Sequence, residues 1–151
     1  TLVIAPADFG DPWLDAFLQA HLDDMVATSP AESVHALDVA ALQRTGIRLW
    51  VGSVDGDIVA TGALSALEPG HEEVKSMRTA ADRRGQGLGR VMLDHLLTDG
   101  GRGVRRLSLE TGTGDFFAPA HALYQGAGFV ECPPFGLYAL DPFSRYFTLA
   151  L

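Results

Sequence analysis

Arg83-Arg84-Gly85-Gln86-Gly87-Leu88-Gly89-Arg90, residues 83–90, joins a strand-like run, Val74-Lys75-Ser76-Met77-Arg78-Thr79, to a helical pattern from Gly89 to about Thr98. Three alternating glycines leave backbone N–H groups unshielded by side chains. Those groups and the N-terminus of the following helix make an anion site. Arg84 and Arg90 add positive charge at its rim, so a phosphate or pyrophosphate is the natural ligand. Two commoner phosphate motifs do not fit. A P-loop closes on Gly-Lys-Ser/Thr, which is missing, and a dinucleotide fingerprint needs a glycine where Arg90 stands. A glycine-rich turn that merely allows tight strand–helix packing is the alternative.

Outward from this loop, turn signals and hydrophobic periods divide the rest of the chain. Leu2-Val3-Ile4 suits a first strand. Pro12 opens a helix capped by Asp11, with Trp13, Phe17, Leu18, His21, Leu22 and Met25 on one face. Ser29-Pro30 breaks it, and a second helix is expected over Ser33 to Gln43 with Gly46 as its stop. Ile47 to Leu67 reads as a hairpin about Asp55-Gly56. Pro69-Gly70 turns the chain into the strand before the loop. After the loop helix, Asp99-Gly100-Gly101 leads to a strand at Arg106 to Glu110. A helix from Pro119 to Gln125, a strand starting at Gly128-Phe129-Val130 and a last strand from Tyr146 to Leu151 follow. The order β-α-α-β-β-β-α-β-α-β-β implies an α+β domain over 1–151. Its sheet is mixed, mostly antiparallel and of six to seven strands with helices on both faces; parallel strands are expected across the loop helix and antiparallel ones before it.

Composition bounds the function. A chain of 151 residues, 47% hydrophobic and 20% charged, can bury a core of its own. A net charge of −8 argues against nucleic acid or an anionic membrane as partner, since both need clustered cations. Yet Arg83, Arg84, Arg90, Arg102, Arg105 and Arg106 concentrate over half of the 11 Lys and Arg around the glycine loop. The single cysteine, Cys132, forbids an internal disulfide, and no apolar run reaches membrane-span length, so a cytoplasmic location is expected. His21, His71, His95 and His121 show no metal-ligand spacing, and no metal is expected.

Arg84-Gly85-Gln86-Gly87-Leu88-Gly89 resembles the Arg/Gln-x-x-Gly-x-Gly/Ala signature of the GNAT superfamily of N-acetyltransferases. The flanking strands agree, and Ala122-Leu123-Tyr124-Gln125-Gly126-Ala127-Gly128-Phe129 is similar to the family's Ala-Leu-Tyr-x-x-x-Gly-Phe segment. The resemblance is firm over 72–131 and compatible elsewhere. Glu110-Thr111-Gly112, Phe135-Gly136 through Asp141-Pro142 and Ser33 to Leu37 look like a bacterial subgroup of small-molecule type whose members are uncharacterised; some carry an auxin-metabolism label.

The resemblance implies acetyl-coenzyme A as co-substrate and a primary amine of a small molecule as acceptor, attacking the thioester directly. Arg84, Gly85, Gln86, Gly87, Leu88, Gly89 and Arg90 would hold the pyrophosphate. Met77 and Thr79 would hold the pantetheine arm and thioester through their backbone. Strand alternation puts Glu73, Lys75, Met77 and Thr79 on one face, with Val74, Ser76 and Arg78 on the other. Glu73 is the candidate base, although a one-residue slip would exchange it with Glu72. Tyr124 is the candidate acid, since its ordinary pKa near 10 lies close to that of a thiol leaving group. His35 and Arg48 are candidate acceptor contacts. A protein or peptide N-acetyltransferase and a non-catalytic acyl-coenzyme A-binding module are the rival readings. An exposed C-terminal strand could pair across a homodimer.

Overall fold

The computed structural model describes residues 1–30 and 37–151. Its seven strands form one sheet in the order β1-β2-β3-β4-β5-β7-β6. They are β1 (Val3–Pro6), β2 (Ile47–Val54), β3 (Asp57–Glu68), β4 (His71–Thr79), β5 (Arg106–Gly112), β6 (Val130–Glu131) and β7 (Ser144–Ala150). Every pairing among them is antiparallel except β4 with β5, whose crossover contains the glycine loop and a helix.

Helix α1 (Pro12–Thr28) starts as its sequence dictates. Asp11 Oδ1 accepts a hydrogen bond from the Trp13 amide at 2.9 Å, and Pro12 needs no N–H in the first turn. Its inward stripe differs from the expected one. Leu14 and Leu18 are buried, whereas Trp13 is 77% exposed. Only Trp13 leaves the expected stripe: Leu14 takes its place and, with the expected Leu18, meets Leu42, Leu49, Val51 and Ala63, while Phe17, His21, Leu22 and Met25 are half-buried. The helix expected over 33–43 is also corrected. Residues 33–36, His35 among them, lie outside the described residues, and from 37 to 43 only a 3₁₀ turn, Ala41–Gln43, is formed.

Helices α2 (Leu88–Leu97) and α3 (Ala118–Gly126) cover the other face. There Leu93, Leu96, Tyr124 and Phe129 pack on Leu64, Val74, Leu107, Leu109 and Phe147. Alternation on β3 separates the two cores: Ala63 points to α1 and Leu64 to α2 and α3. Among the described residues, no helix is long and apolar enough to cross a membrane.

Two irregularities shape the middle of the sheet. Strand β4 pairs with β5 only at His71, Glu72 and Glu73, opposite Arg106, Leu107 and Ser108. Beyond Glu73 the two strands share no ladder. In addition, the β3–β4 register slips between Thr61 and Ala63, and Ser76 takes a left-handed backbone with φ of 53°. This is a bulge, closed by the Thr61 hydroxyl donating to the Ser76 carbonyl at 2.7 Å. The extra residue inverts the alternation that follows it. Met77 packs with the α2 core and Thr79 lies against Gly89, while Arg78 reaches Asp24 and Phe17 of α1. The expected grouping of Glu73 and Lys75 with Met77 and Thr79 is therefore wrong beyond Lys75.

Candidate active site

The split between β4 and β5 opens into a pocket of about 600 Å³. One end is the glycine loop. Gly85 and Gly87 have φ of 78° and 79°, conformations that disfavour any side chain, and a Cβ at either would meet nothing within 4 Å. Gly87 is the residue before α2, and no side chain caps that helix. Its free N–H groups thus face an open cradle, with Arg83, Arg84 and Arg90 beside it in the pocket wall. Arg90 is steadied by Asp94 at 2.9 Å. Gly85, Gly87, Leu88, Gly89, Met77 and Thr79 also line the pocket, whereas Gln86 is exposed and does not. The cradle fits a pyrophosphate: it has donors, positive charge and room.

In its middle the pocket meets Tyr124 from α3 and Glu110 from β5. Tyr124 is 6% exposed, and burial, with a smaller contribution from the Glu110 charge, pushes its phenol above the ordinary value. It therefore stays protonated at neutral pH. Glu110 alternates with the core residues Leu107 and Leu109, so it faces the α1 side. Desolvation raises its carboxyl from 4.5 to about 7, offset in part by the Lys75 charge and by a hydrogen bond from the Ser144 hydroxyl at 3.4 Å. A carboxylate poised near neutrality is suited to general base work. Glu110 is not among the site residues expected from the sequence. Two signals pointed to it: the Glu110-Thr111-Gly112 segment shared in the subgroup resemblance, and its place out of phase with two leucines on a strand flanking the loop helix.

Glu73 also lines the pocket and is 6% exposed, while Glu72 turns to the opposite face. The Glu73 carboxylate is already engaged. The Tyr138 hydroxyl donates to its Oε2 at 2.5 Å, and Lys75 Nζ lies 3.3 Å from the same oxygen and 3.1 Å from Tyr138 Oη. Tyr138 thereby ties the segment between β6 and β7 to the pocket floor. On its far side Glu73 also borders a second cavity, of about 490 Å³, lined by Leu67, Leu137, Tyr138, Ala139, Leu140 and Asp141. Arg48 is not among the residues lining either cavity. Its Nη1 donates to the Gly100 carbonyl at 2.6 Å and its Nη2 to Glu72 at 2.7 Å, which fastens the loop after α2 to β2.

Elsewhere, His71 bridges Glu68 at 3.3 Å and the Ser108 hydroxyl at 2.7 Å, an arrangement like that of an activated serine. Ser108 is 1% exposed and outside both cavities, so no substrate reaches it and the chain ties β4 to β5. Burial raises the Cys132 thiol, which is the opposite of activation. Among the described residues no group of three His, Cys, Asp or Glu is placed to hold a metal ion.

Comparison with known proteins agrees with this geometry. Residues 10–129 match the model of the acetyltransferase (GNAT) family. The chain is 40% identical over 145 residues to the uncharacterised N-acetyltransferase YedL of Escherichia coli (strain K12), covering 95% of this chain and 91% of that one. It is 39% identical over 137 residues to the uncharacterised N-acetyltransferase YsnE of Bacillus subtilis (strain 168), covering 90% and 91%. Among solved structures, a Klebsiella pneumoniae protein provisionally named an acyl-CoA N-acyltransferase superposes over 100% of this chain and 98% of its own, with a TM-score of 0.79 at 27% identity. An anion cradle at a helix start, a split between parallel strands, a buried tyrosine behind it and these matches place the chain in the GNAT family of acetyltransferases.

Proposed function

We propose that the protein transfers an acetyl group from acetyl-coenzyme A to the primary amine of a small molecule, by direct attack of the amine on the thioester. The observation that carries this is one continuous pocket running from the glycine cradle to Tyr124, Glu110 and Glu73. In the transfer a C–N bond forms, the C–S bond breaks, the amine gives up a proton and the departing sulfur takes one. The cradle residues and Arg84 and Arg90 hold the pyrophosphate, and β4 past its bulge offers the backbone of Met77 and Thr79 to the arm. Tyr124 gives the proton to the sulfur. Its raised pKa is not a mismatch, since a thiolate leaving into the same dry pocket is made more basic by the same desolvation. Glu110, poised at about 7, takes the proton from the amine, directly or through water. Glu73, already held by Lys75 and Tyr138, steadies the incoming ammonium before it loses its proton.

A small acceptor is favoured over a protein segment because His21 and Met25 of α1 line the pocket along with Glu73, whose carboxylate Tyr138 ties down from the side of the second cavity. The test is release of free thiol from acetyl-coenzyme A with panels of small amines and of peptide N-termini. Turnover with small amines is expected. Turnover with peptides alone would move the reading to a protein acetyltransferase, and binding of acetyl-coenzyme A without turnover on any amine would leave a non-catalytic module.

A further inference from the structure

The end of the pocket away from the glycine cradle is walled by His21 and Met25 of α1, by Ser29 just after it, and by Glu73, Lys75 and Arg78 of β4. The bulge at Ser76 is what turns Arg78 into it. The Arg78 side chain is 10% exposed. Its Nη1 donates to Asp24 Oδ2 at 2.6 Å, its Cζ stands 5.5 Å from the Phe17 ring centre, and its Nε is buried with no partner among the described residues. A guanidinium carries five N–H donors, and leaving them buried and unmet is unfavourable. Structural ion pairing does not account for this residue fully. Asp24 is 39% exposed, nearer the surface than the cation it pairs with, and it occupies only the Nη1 end. The side-on edge of Nε and Nη2, the fork that a carboxylate takes with two parallel bonds, is not used by Asp24.

The surrounding groups point the same way. Lys75 is held by Glu73 and Tyr138, so its charge is matched within the fold. His21, which Arg78 influences, has its pKa lowered to about 4 by burial first and then by the Arg78 charge. It is therefore neutral and can donate a single N–H. The same face of the sheet thus carries two carboxylates, Glu73 and Glu110, suited to an amine, and one incompletely matched guanidinium, suited to an anion.

We propose that the acceptor is an amino acid, an amine and a carboxylate in one small molecule, with its carboxylate held by Arg78. This rests on the transfer reaction proposed above and adds the class of acceptor. The experiment compares kcat/KM of the wild type for a panel of α- and ω-amino acids with that for their carboxamides, alongside Arg78→Met and Arg78→Lys. The wild type should prefer the acids by at least tenfold, the low end for a charge-assisted bond. Arg78→Met should erase that preference through the KM of the acids, leave the carboxamides within about threefold, and leave acetyl-coenzyme A affinity unchanged. Arg78→Lys should recover part of the preference. Equal turnover of acids and carboxamides, or an equal loss of both in Arg78→Met, would overturn the proposal while leaving acetyl transfer standing. If no amine is turned over, the transfer reading fails separately. Calorimetric titration of N-acetylated amino acids in the presence of coenzyme A then decides the carboxylate site alone: weaker binding to Arg78→Met supports it, and equal binding or none to wild type refutes it.

Discussion

Glu110 and Tyr124 stand in one pocket, and burial weakens both acids: the carboxyl reaches neutrality, where it can accept a proton, and the phenol keeps its own. Removing the hydroxyl by Tyr124→Phe keeps the ring in its packing against Phe129, so the fold survives. Turnover should fall by roughly a hundredfold, the usual loss for a general acid, while acetyl-coenzyme A affinity stays put. Steady-state kinetics with calorimetry check both halves. Glu110 must be ionised to act, so kcat/KM should fall tenfold per pH unit below about 7. In Glu110→Gln that limb should vanish at a low residual rate. A limb persisting there but lost in Glu73→Gln would return the base role to Glu73. Gly87→Asp should weaken acetyl-coenzyme A binding more than tenfold by calorimetry. It brings both a side chain at φ of 79° and a negative charge to the helix N-terminus. Tyr124 was legible because it sits in a helical segment with a recognisable spacing. Glu110 was not, because a lone glutamate on a strand gains its meaning only from what desolvates it across the sheet.

The bulge in β4 shows where pattern reading stops at the level of elements. Period-2 alternation is a rule for unbroken strands, and Ser76 at φ of 53° breaks it with no glycine or proline to announce the break. Every orientation after it was inverted, and so Arg78 was overlooked for the pocket. The expected strands, loop and helices were otherwise close to those observed, since Asp55-Gly56, Pro69-Gly70 and Asp99-Gly100-Gly101 mark their ends unambiguously. The left-handed backbone at Ser76 makes a prediction of its own. Ser76→Gly should leave stability equal or higher, whereas Ser76→Val should lower it by about 1–2 kcal/mol and blunt activity with it. Thermal denaturation of both variants checks the sign, and equal stability of the two would remove the bulge from this role.

For the molecule as a whole, the sheet separates an α1 core from an α2–α3 core, and both were visible as apolar periods. The described part of the expected 33–43 helix was not, because Leu37, Ala41 and Leu42 satisfy helical spacing as well as they satisfy a packed turn. Burial of Glu110 also has a cost that belongs to the entire fold. Its carboxyl is raised from 4.5 in the unfolded chain to about 7, so the folded state binds the proton more tightly. That contribution is fully present below pH 4.5 and is lost as pH rises through about 7, leaving a penalty on the order of 3 kcal/mol. Glu110→Gln should therefore raise Tm by several degrees at pH 8 and by little at pH 4, a difference read by calorimetry. An equal shift at both values would mean that packing, not ionisation, is what the substitution changes.

The parting of β4 from β5 after three paired residues has a consequence for how such a chain can diversify. On the proposed reading, everything that would grip the donor, from the bulged strand through the cradle to the tyrosine, is written in one uninterrupted run of sequence, 72–129. What meets that run at the far end comes from either side of it: His21 and Met25 of α1, before it, line the pocket, and Tyr138, after it, holds Glu73 from the second cavity. Mutation can redraw the flanks and leave the central run untouched, so a lineage can keep its chemistry while it changes what it acetylates.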